Sequence, residues 1–537
     1  MNADRLLAHY EEIADAPDAI SRLRRFILDL AMRGKLVPQA SKDKPNLELL
    51  KLIANEGLAH PNLPNGWCQA KIGTLLNFQY GKGLNSNERA VEGPVPVYGS
   101  NGIVGFTESP LTTLPSIIVG RKGSAGAMNL CDGPSWTTDV AYFVEAPAFF
   151  NIRFLLNALT ALRLDKLGKG VKPGLSRSDA YEQVLSVPPL AEQHRIVAKV
   201  DELMALCDRL EAARAEREAT RDRLTAASLA RLNTPDPATF QADVRFALNT
   251  IPALTNRPDQ IKQLRQTILN LAVRGKLVPQ DPKDESASEL LKKIQKKRGR
   301  LLASGYPTPD EARTQSKKQS EQTIPIGLES LPAGWAWATL LQCSAFVVDC
   351  KNKTAPYSSK GIRLIRTTNV RDGKMNMNDQ RYVDQNTFDL WSARCIPEPG
   401  DILITREAPM GEVCLIPPGE QICLGQRMML ARLVPNTIEQ EFLIYSLRDP
   451  QLMDRVQDKP IGATVQHLRV GGVETLLVPL PPLAEQQRIV AKVDALMALC
   501  DQLEASLDHT AITRRRLLDA LLNEALDSVP FTAKTAA

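Results

Sequence analysis

The sequence has little histidine and no closely spaced cysteines. Its 537 residues include 5 His and 9 Cys, and no Cys-x-x-Cys pair occurs. This scarcity argues against zinc fingers and disulfide frameworks and favours a reducing cytoplasm. Cys207 and Cys500 lie on apolar helical stripes, so we expect both to be small buried hydrophobic residues.

Long apolar runs are also absent, since no stretch of about 18 apolar residues occurs. The first residues, MNADRLLAHYEEIADAPD, are mixed and acidic, unlike a signal or transit peptide. A cytoplasmic protein without a membrane span is therefore expected. The net charge of +5 permits nucleic-acid binding but does not require it.

Signatures of catalysis are missing as well. The sequence contains no Gly-x-x-x-x-Gly-Lys-Ser/Thr loop, no Gly-x-Gly-x-x-Gly after a strand and no His-Glu-x-x-His. It also lacks the Asn/Asp-Pro-Pro-Tyr/Phe motif that an amino methyltransferase needs. Asp401 is interpreted as a turn residue entering a strand, not as part of a nuclease site. These absences predict a chain with no catalytic, metal or cofactor site of its own.

What the sequence does contain is an internal repeat. Residues 23–39, LRRFILDLAMRGKLVPQ, match residues 264–280 at 13 of 17 positions. Residues 188–212, PPLAEQHRIVAKVDELMALCDRLEA, match residues 481–505 at 22 of 25 positions. One frame is therefore present twice.

The stretches between the matching segments are unlike each other. A weaker mark, Leu-Pro-x-Gly-Trp, opens each of them at residues 63–67 and 331–335. We call the stretches variable domain 1 (residues 62–187) and variable domain 2 (residues 331–480). Matching frames around unlike domains predict one scaffold that presents two different recognition surfaces.

The frame begins with a predicted helix in each half. Apolar residues recur every three or four positions and give one apolar face, at Ile20, Leu23, Ile27 and Leu30. Gly34 follows, which predicts a helix stop with glycine in the left-handed conformation. The pattern recurs at Ile261, Leu264, Ile268, Leu271 and Gly275.

Both variable domains are rich in Gly and Pro and contain short β-like runs between turn signals. In variable domain 1 we expect strands at 116–119 and 140–144 and a helix at 152–164. In variable domain 2 we expect strands at 362–366, 401–405 and 428–433 and a helix at 439–447. Each is predicted to be a mixed, largely β domain.

A long helix is predicted after each Pro-Pro-Leu segment, because apolar residues alternate four and three apart as in a coiled-coil seam. The seams are Ile196, Val200, Leu203, Cys207 and Leu210, and Ile489, Val493, Leu496, Cys500, Leu503 and Leu507. We expect the two helices to form an antiparallel coiled coil that holds the variable domains at a fixed separation. The alternative is that each helix packs on its own variable domain.

Residues 281–325 form a polar, Lys-rich segment. Leu290, Leu291 and Ile294 predict a helix for its first part. Its charge either meets phosphate or belongs to a solvated helix face followed by a flexible insert. The basic residues are Lys292, Lys293, Lys296, Lys297, Arg298 and Arg300.

These patterns together predict an α+β fold. Two mixed, largely β domains are separated by two long helices in an antiparallel coiled coil, and the tandem repeat has pseudo-twofold symmetry. The predicted parts are 1–61 (N-terminal scaffold helices), 62–187 (variable domain 1), 188–235 (central long helix), 236–330 (second scaffold helix and Lys-rich linker), 331–480 (variable domain 2) and 481–537 (C-terminal long helix).

The PPLAEQ-x-RIVAKVD segments, the RGKLVPQ helices and two inserts that open with Gly-Trp form a specific combination. With them, the chain resembles the specificity subunits of type I restriction–modification systems over nearly its whole length. Inside the inserts, VYGSNGIVG (97–105), IVGRKGSAG (118–126) and GDILITR (400–406) look like the target-recognition sequence of that family.

The resemblance implies two target-recognition domains, each of which reads one half of a split double-stranded DNA target. The coiled coil would set the spacer between the halves. The implied partners are two modification (methyltransferase) subunits, which bind S-adenosylmethionine and methylate adenine, and restriction/translocase subunits, which use ATP and Mg. This chain would supply recognition and neither activity.

Bases are read by Arg on guanine and by Asn or Gln on adenine, whereas phosphate contacts position the protein. Polar side chains on Gly-rich loops are therefore the DNA-binding candidates. In variable domain 1 they are Tyr98, Ser100, Asn101, Arg121, Lys122 and Ser124, with Lys169, Lys172 and Arg177 as candidates for phosphate. In variable domain 2 they are Arg366, Thr368, Asn369, Arg406, Gln426, Arg427, Thr464, Gln466, His467 and Arg469. For each residue taken alone, a structural or surface role is the alternative.

Two other classes of protein are alternatives to this interpretation, and each predicts a different experimental result. A self-contained DNA-cleaving enzyme fragment would cut DNA with magnesium and no partner. A coiled-coil adaptor without a DNA role would bind DNA weakly, whatever its sequence. A specificity subunit would instead change one half of its target when residues 62–187 are exchanged.

Overall fold

The computed structural model describes residues 13, 15–40, 42–44, 47–53, 63–170, 173–233, 236, 238–255, 257–419, 421–449, 456 and 467–528. The chain divides into two compact units. Unit 1 comprises residues 1–219 and 509–537, and unit 2 comprises residues 220–508. Each unit contains one variable domain together with parts of the repeated frame.

Unit 1 opens with the frame helices α1 (Ala19–Met32) and α2 (Leu47–Ile53). The strands of variable domain 1 are β1 (Cys68–Lys71), β2 (Gln79–Tyr80), β3 (Val95–Gly99), β4 (Gly102–Thr107), β5 (Ser116–Gly120), β6 (Met128–Cys131), β7 (Trp136–Thr137), β8 (Ala141–Glu145) and β9 (Val184–Val187). Its helices are α3 (Ile72–Leu75), α4 (Ile152–Ala161) and α5 (Arg177–Tyr181). The long helix α6 spans Leu190–Asn233.

Unit 2 contains the helices α7 (Phe240–Leu254), α8 (Pro258–Val273), α9 (Ala287–Ala303) and α10 (Pro309–Ser320). Variable domain 2 has strands β10 (Ala336–Thr339), β11 (Ser344–Asp349), β12 (Ile362–Ile365), β13 (Val370–Arg371), β14 (Lys374–Met375), β15 (Arg381–Val383), β16 (Ile402–Thr405), β17 (Val413–Leu415), β18 (Ile422–Leu424), β19 (Met428–Leu433) and β20 (Leu477–Leu480). Its helices are α11 (Leu340–Cys343), α12 (Gln385–Trp391), α13 (Gln440–Leu447) and α14 (Val470–Glu474). The second long helix, α15, spans Leu483–Ser528.

The main sheet of variable domain 1 has the strand order β2–β8–β5–β6 and is buried on both faces. Ile117 and Val119 of β5 share an apolar cluster with Phe154 of α4. Ile118 points the other way, into a cluster with Tyr98 of β3. Because successive side chains of a strand alternate between faces, a strand with two buried faces has an unbroken apolar run.

Variable domain 2 has the same topology although its sequence is different. Its main sheet has the order β11–β19–β16–β17, and its second sheet, β15–β12–β18, corresponds to β4–β3–β7. In each second sheet one pair is parallel, β3 with β7 and β12 with β18. The expected α+β fold, with two largely β domains and two long helices in tandem repeat, is confirmed.

The three repeated sequence segments meet at one hydrogen-bonded cluster. In unit 2, Gln280 Nε2 and Trp335 Nε1 donate to the buried carboxylate of Glu485 at 3.1 and 3.0 Å. In unit 1, the equivalent Gln39 Nε2 donates to buried Glu192 at 2.6 Å. In unit 2 the RGKLVPQ, Gly-Trp and PPLAEQ segments therefore meet at one buried carboxylate, which requires hydrogen-bond partners.

Glycine ends both frame helices in the left-handed conformation, as predicted, with φ of 65° at Gly34 and 64° at Gly275. A Cβ on Gly34 would lie 2.4 Å from Pro64 Cγ, and one on Gly275 would lie 2.7 Å from Pro332 Cγ. Glycine is required here both for its backbone conformation and for the close approach of the proline.

In unit 1 the frame helix α1 contacts both long helices. Arg24 donates to Asp208 at 2.6 Å and to Glu211 at 2.7 Å, both on α6. Lys35, just after α1, donates to the carbonyl oxygen of Leu526 on α15 at 2.5 Å.

Unit 2 repeats these contacts with the long helices exchanged. The first contact uses the equivalent residues, whereas the second is made by Arg274, which aligns with Arg33 and not with Lys35. Arg265 of α8 lies 2.7 Å from Asp501 and 2.9 Å from Glu504, both on α15. Arg274 donates to the carbonyl oxygen of Asn233 on α6 at 2.7 Å. The tandem repeat is therefore also a repeat of contacts.

The order of these contacts gives the direction of the long helices within unit 1. Arg214 of α6 donates to the carbonyl oxygen of Ala16, before α1, whereas Arg195 donates to Asp43 beyond it. Helix α6 is therefore antiparallel to α1. Because α15 contacts Arg22 through Asp519 and Lys35 through Leu526, it runs parallel to α1. The two long helices are antiparallel in this unit.

The first part of each seam has a partner that the heptad pattern does not identify. Ile196, Val200 and Cys207 of α6 share one core with α1 and variable domain 1. Ile489, Val493 and Cys500 of α15 share one core with α8 and variable domain 2. A seam side chain packs on whichever apolar surface is nearest, and here the frame helix and the variable domain provide it.

The Lys-rich segment has a solvated helix face, as one alternative expected, but the helices α9 and α10 take the place of the flexible insert that was expected to follow it. Leu290 and Ile294 of α9 are buried in the core of variable domain 2, and Leu302 of the same helix is also buried. Arg298 is buried as well and donates to the carbonyl oxygens of Gln342 at 3.0 Å and Ser344 at 3.2 Å. Helix α9 packs because its apolar stripe and one arginine face the domain, while its lysines remain exposed.

Cys207 and Cys500 are buried, and burial raises the pKa of both thiols, as expected of small buried hydrophobic residues. Among the residues that the structure describes, no helix is long and apolar enough to cross a membrane. In the same residues, no group of three or more His, Cys, Asp or Glu is placed to hold a metal ion.

Replacing Glu485 by alanine is expected to destabilise the protein by about 1–3 kcal/mol, because the buried Trp335 N–H loses its acceptor. Glu485→Gln keeps an acceptor oxygen and should cost less. Thermal unfolding of the full chain measures both changes, with Asp508→Asn on the same helix as an exposed control. Equal losses in E485A and D508N would contradict the assignment.

The same residue gives a pH prediction. Burial raises the pKa of the Glu485 carboxyl above that of an exposed glutamate. The folded chain therefore binds this proton more readily than the unfolded chain. The wild type should gain stability relative to E485Q as the pH falls from the folded pKa towards about 4.3, the pKa of an exposed glutamate.

Candidate nucleic-acid interface

Three candidate loops of variable domain 1 lie together at one end of its main sheet. Leu175 N donates to the carbonyl oxygen of Arg121 at 2.8 Å, and Gly123 N donates to that of Pro173 at 3.0 Å. The β3–β4 turn is equally near, because a Cβ on Gly120 would lie 2.4 Å from the carbonyl oxygen of Ser100. Segments distant in sequence therefore form one surface.

The candidate side chains of this surface differ in exposure. Asn101, Lys122 and Lys169 are exposed, and Ser100, Arg121, Ser124 and Arg177 are partly buried. Lys169 Nζ lies 2.7 Å from Asp179 Oδ2, a surface ion pair with which a phosphate can compete. Lys172 lies outside the described residues.

Tyr98 belongs to the interior of the domain. Its side chain is buried in a cluster with Ile118, Cys131 and Phe143. Burial, with a smaller contribution from Cys131, raises the pKa of Tyr98 to about 12. This placement supports the structural alternative for Tyr98, and it arises because the alternation of β3 turns this residue towards the second face of the main sheet.

Tyr80, which was not among the candidates, joins two of them. The Arg177 guanidinium carbon lies 4.9 Å from the Tyr80 ring centroid, and that of Arg121 lies 5.1 Å from it. Both distances are within cation–π range. The available sequence signal was an aromatic residue directly before Gly81-Lys82-Gly83.

The candidate loops of variable domain 2 converge in the same way. Arg406 N donates to the carbonyl oxygen of Arg427 at 2.9 Å, and Leu468 N donates to that of Arg406 at 2.9 Å. Gly425 N donates to the carbonyl oxygen of Ile365 at 2.8 Å, which places Arg366 beside this loop.

Most described candidates of variable domain 2 are accessible. Thr368, Arg427 and Arg469 are exposed, and Arg366, Arg406, Gln426 and His467 are partly buried. Thr464 and Gln466 lie outside the described residues. A shallow cavity of about 200 Å³ is lined by Tyr357, Arg366, Thr368, Gln426 and Arg427 among others.

Asn369 has a structural role in this domain. Its Nδ2 donates to the carbonyl oxygens of Asn376 at 2.9 Å and Asp379 at 3.3 Å, and its Oδ1 accepts from Arg366 N at 2.9 Å. Asn369 is 3% exposed, so its amide is committed to the turn that orients Arg366. An asparagine on a polar loop is chemically suited to adenine, but burial removes this one from the surface.

Arg121 and Arg406 occupy equivalent positions in the two domains. Each follows a central strand, β5 or β16, and each accepts a backbone hydrogen bond from a leucine, Leu175 or Leu468. Each loop then closes with a glycine N–H that donates back to the end of the strand, from Gly126 or from Gly411, both at 2.8 Å. The equivalence is structural, since only Arg and the closing Gly are shared by the GRKGSAG and TREAPMG sequences.

A duplicated helical frame carries two equivalent β domains with arginine-bearing loops. This arrangement defines a recognition protein with two recognition domains. The family described as type I restriction modification DNA specificity domain matches residues 64–218 and 363–510. The chain belongs to this family, and the resemblance drawn from the sequence is confirmed.

Relatives span nearly the whole chain. The type I restriction enzyme EcoAI specificity subunit of Escherichia coli is 27% identical over 576 residues, covering 95% of this chain and 94% of the relative. The EcoEI specificity subunit of E. coli is 25% identical over 585 residues, with the same shares. A solved chain from work on complex assembly and conformational transition of the type I R-M system is 18% identical, with a TM-score of 0.48, and covers 87% of this chain and 99% of that one.

Proposed function

We propose that this chain is the DNA sequence-specificity subunit of a type I restriction–modification complex. Each variable domain reads one half of a bipartite double-stranded target. The supporting observation is the presence of two domains with the same topology, unlike sequences and an arginine at the same loop position. Different loops on one framework are what recognition of two different half-targets requires.

Each recognition surface combines base contacts with phosphate contacts. Arg121, Arg406 and Arg427 supply planar forks suited to guanine, while Asn101 and Gln426 supply amides suited to adenine. Exposed Lys122 and Lys169 contact phosphate, which strengthens binding without adding sequence information. Tyr98 and Asn369 shape the loops from within.

The repeat of contacts in the frame supports the proposed partners. Arg24 with Asp208 and Glu211, and Arg265 with Asp501 and Glu504, mark equivalent frame surfaces in the two units. Equivalent surfaces suit two copies of one partner, which we propose are the methyltransferase subunits that bind S-adenosylmethionine. Restriction/translocase subunits supply ATP- and Mg-dependent cleavage, and the complex acts in the cytoplasm.

Exchange of variable domain 1 tests this proposal. Residues 62–187 are replaced by the corresponding domain of a relative, and the full chain is produced with its methyltransferase subunits. Mapping of methylated adenine in host DNA is expected to show one half of the motif changed and the other half and the gap retained. A motif altered in both halves, or unaltered, would contradict the proposal.

A further inference from the structure

The two equivalent arginines face different residues at one shared position of the main sheet. Tyr80 of β2 pairs with Tyr142, Tyr142 pairs with Val119 of β5, and Arg121 follows two residues after Val119. The register is the same in variable domain 2.

There, Asp349 of β11 pairs with Met429, and Met429 pairs with Ile404 of β16. Arg406 follows two residues after Ile404. Asp349 therefore occupies in variable domain 2 the place that Tyr80 occupies in variable domain 1. A tyrosine in one domain corresponds to an aspartate in the other.

In variable domain 1 the arginine is held by aromatic faces. The Arg121 guanidinium carbon lies 5.1 Å from the Tyr80 centroid and 6.0 Å from the Tyr142 centroid. One of its nitrogens, Nη1, donates to the carbonyl oxygen of Asp139 at 2.7 Å. Stacking fixes the plane of a guanidinium without using its N–H groups, so the remaining donors of Arg121 stay available.

In variable domain 2 the arginine is held by charge. Arg406 Nη1 lies 3.6 Å from Asp349 Oδ1, which is an ion-pair distance but too long for a hydrogen bond. Asp349 Oδ1 and Arg406 Nε are both buried without a hydrogen-bond partner in the part of the chain that the structure describes. The carboxylate therefore attracts the guanidinium without accepting a hydrogen bond from it.

We propose that Tyr80 and Asp349 are positioning residues that hold Arg121 and Arg406 for base recognition, one by stacking and the other by charge. This inference rests on the proposed function. It has two distinct consequences. Loss of the Tyr80 ring should reduce discrimination without changing the salt dependence of binding. Loss of the Asp349 charge should reduce discrimination and also strengthen binding to any duplex, because a negative charge near the phosphates is removed.

Selection from a randomised DNA duplex library, with the full chain and its methyltransferase subunits, measures base preference at each position. Tyr80→Leu is compared with Tyr80→Phe, which keeps the ring. Asp349→Asn is compared with Glu202→Gln, which removes an exposed charge from α6. Because the Tyr80 side chain is 48% exposed, Y80L is expected to fold, and thermal unfolding checks each variant.

We expect Y80L and D349N each to lower discrimination about 5- to 150-fold at a single base pair, each in a different half of the motif. Y80F and E202Q should keep the wild-type motif. D349N should also bind a non-target duplex more tightly than the wild type, with a steeper dependence on salt.

Either of two results would overturn the inference: an unchanged motif in Y80L and D349N, or losses spread over both halves. If Y80F and Y80L both unfold at a lower temperature and both lose base discrimination, the role of Tyr80 is merely structural. A wild-type complex that selects no bipartite motif would refute the proposed function itself. That outcome is distinguishable from failure of the inference because the wild type is measured before any variant.

Discussion

Inserting seven residues into both long helices is expected to widen the gap between the half-targets by about three base pairs. The insertions follow Ala219 in α6 and Asp508 in α15, where the two units divide. Seven residues add about 10.5 Å of helix in nearly two whole turns. The apolar faces and ion pairs of the frame therefore keep their orientation around the helix axis. At about 3.4 Å per base pair, this length corresponds to three base pairs.

Both helices must be extended because α6 is anchored at both ends. Its first part is bound to Arg24 through Asp208, and its last part is bound to Arg274 through the Asn233 carbonyl oxygen. An insertion into α6 alone should break these contacts and destabilise the protein instead of changing the gap. Methylation mapping measures the gap, and an unchanged gap after the double insertion would disprove the role of the helices as a spacer.

Replacing Arg121 or Arg406 by lysine is expected to reduce the discrimination between correct and incorrect bases about 10- to 100-fold. The loss should occur at one base pair of one half-target. Lysine keeps the positive charge but not the planar fork that donates two hydrogen bonds to guanine. The ammonium group in the R406K variant would still neutralise Asp349, so the buried carboxylate would not be left without a counter-charge. Library selection with each variant complex measures the effect.

Lys169→Ala provides the matched control for these substitutions. Lys169 is exposed on the same surface of variable domain 1, and the role proposed for it there is electrostatic. Its loss should weaken binding to all duplexes alike and reduce the salt dependence by about one counter-ion, with the motif unchanged. An unchanged motif in R121K and R406K, in contrast, would remove these arginines from base recognition.

The frame could be predicted from the sequence because its signals are local. The apolar spacing from Ile20 to Leu30 and the position of Gly34 are sufficient to place α1 and its end. The reason for the three recurring segments could not be predicted. Gln280, Trp335 and Glu485 are far apart in the chain, and only the fold brings them to one buried carboxylate.

The candidate interface was predictable as a set of loops but not residue by residue. Glycine-rich, polar loops at strand ends identified the surface that contains Arg121 and Arg406. Burial separates Tyr98 and Asn369 from that surface, and burial depends on which way each strand alternates. The two residues that hold the arginines are related to them only through strand register, which sequence spacing does not reveal.

Methylation mapping with the unaltered chain and its methyltransferase subunits is the most direct test of two recognition domains at a fixed separation. The account predicts a motif of two short specific halves divided by an unspecified gap of constant length. A single continuous motif, or two halves at variable separation, would contradict it.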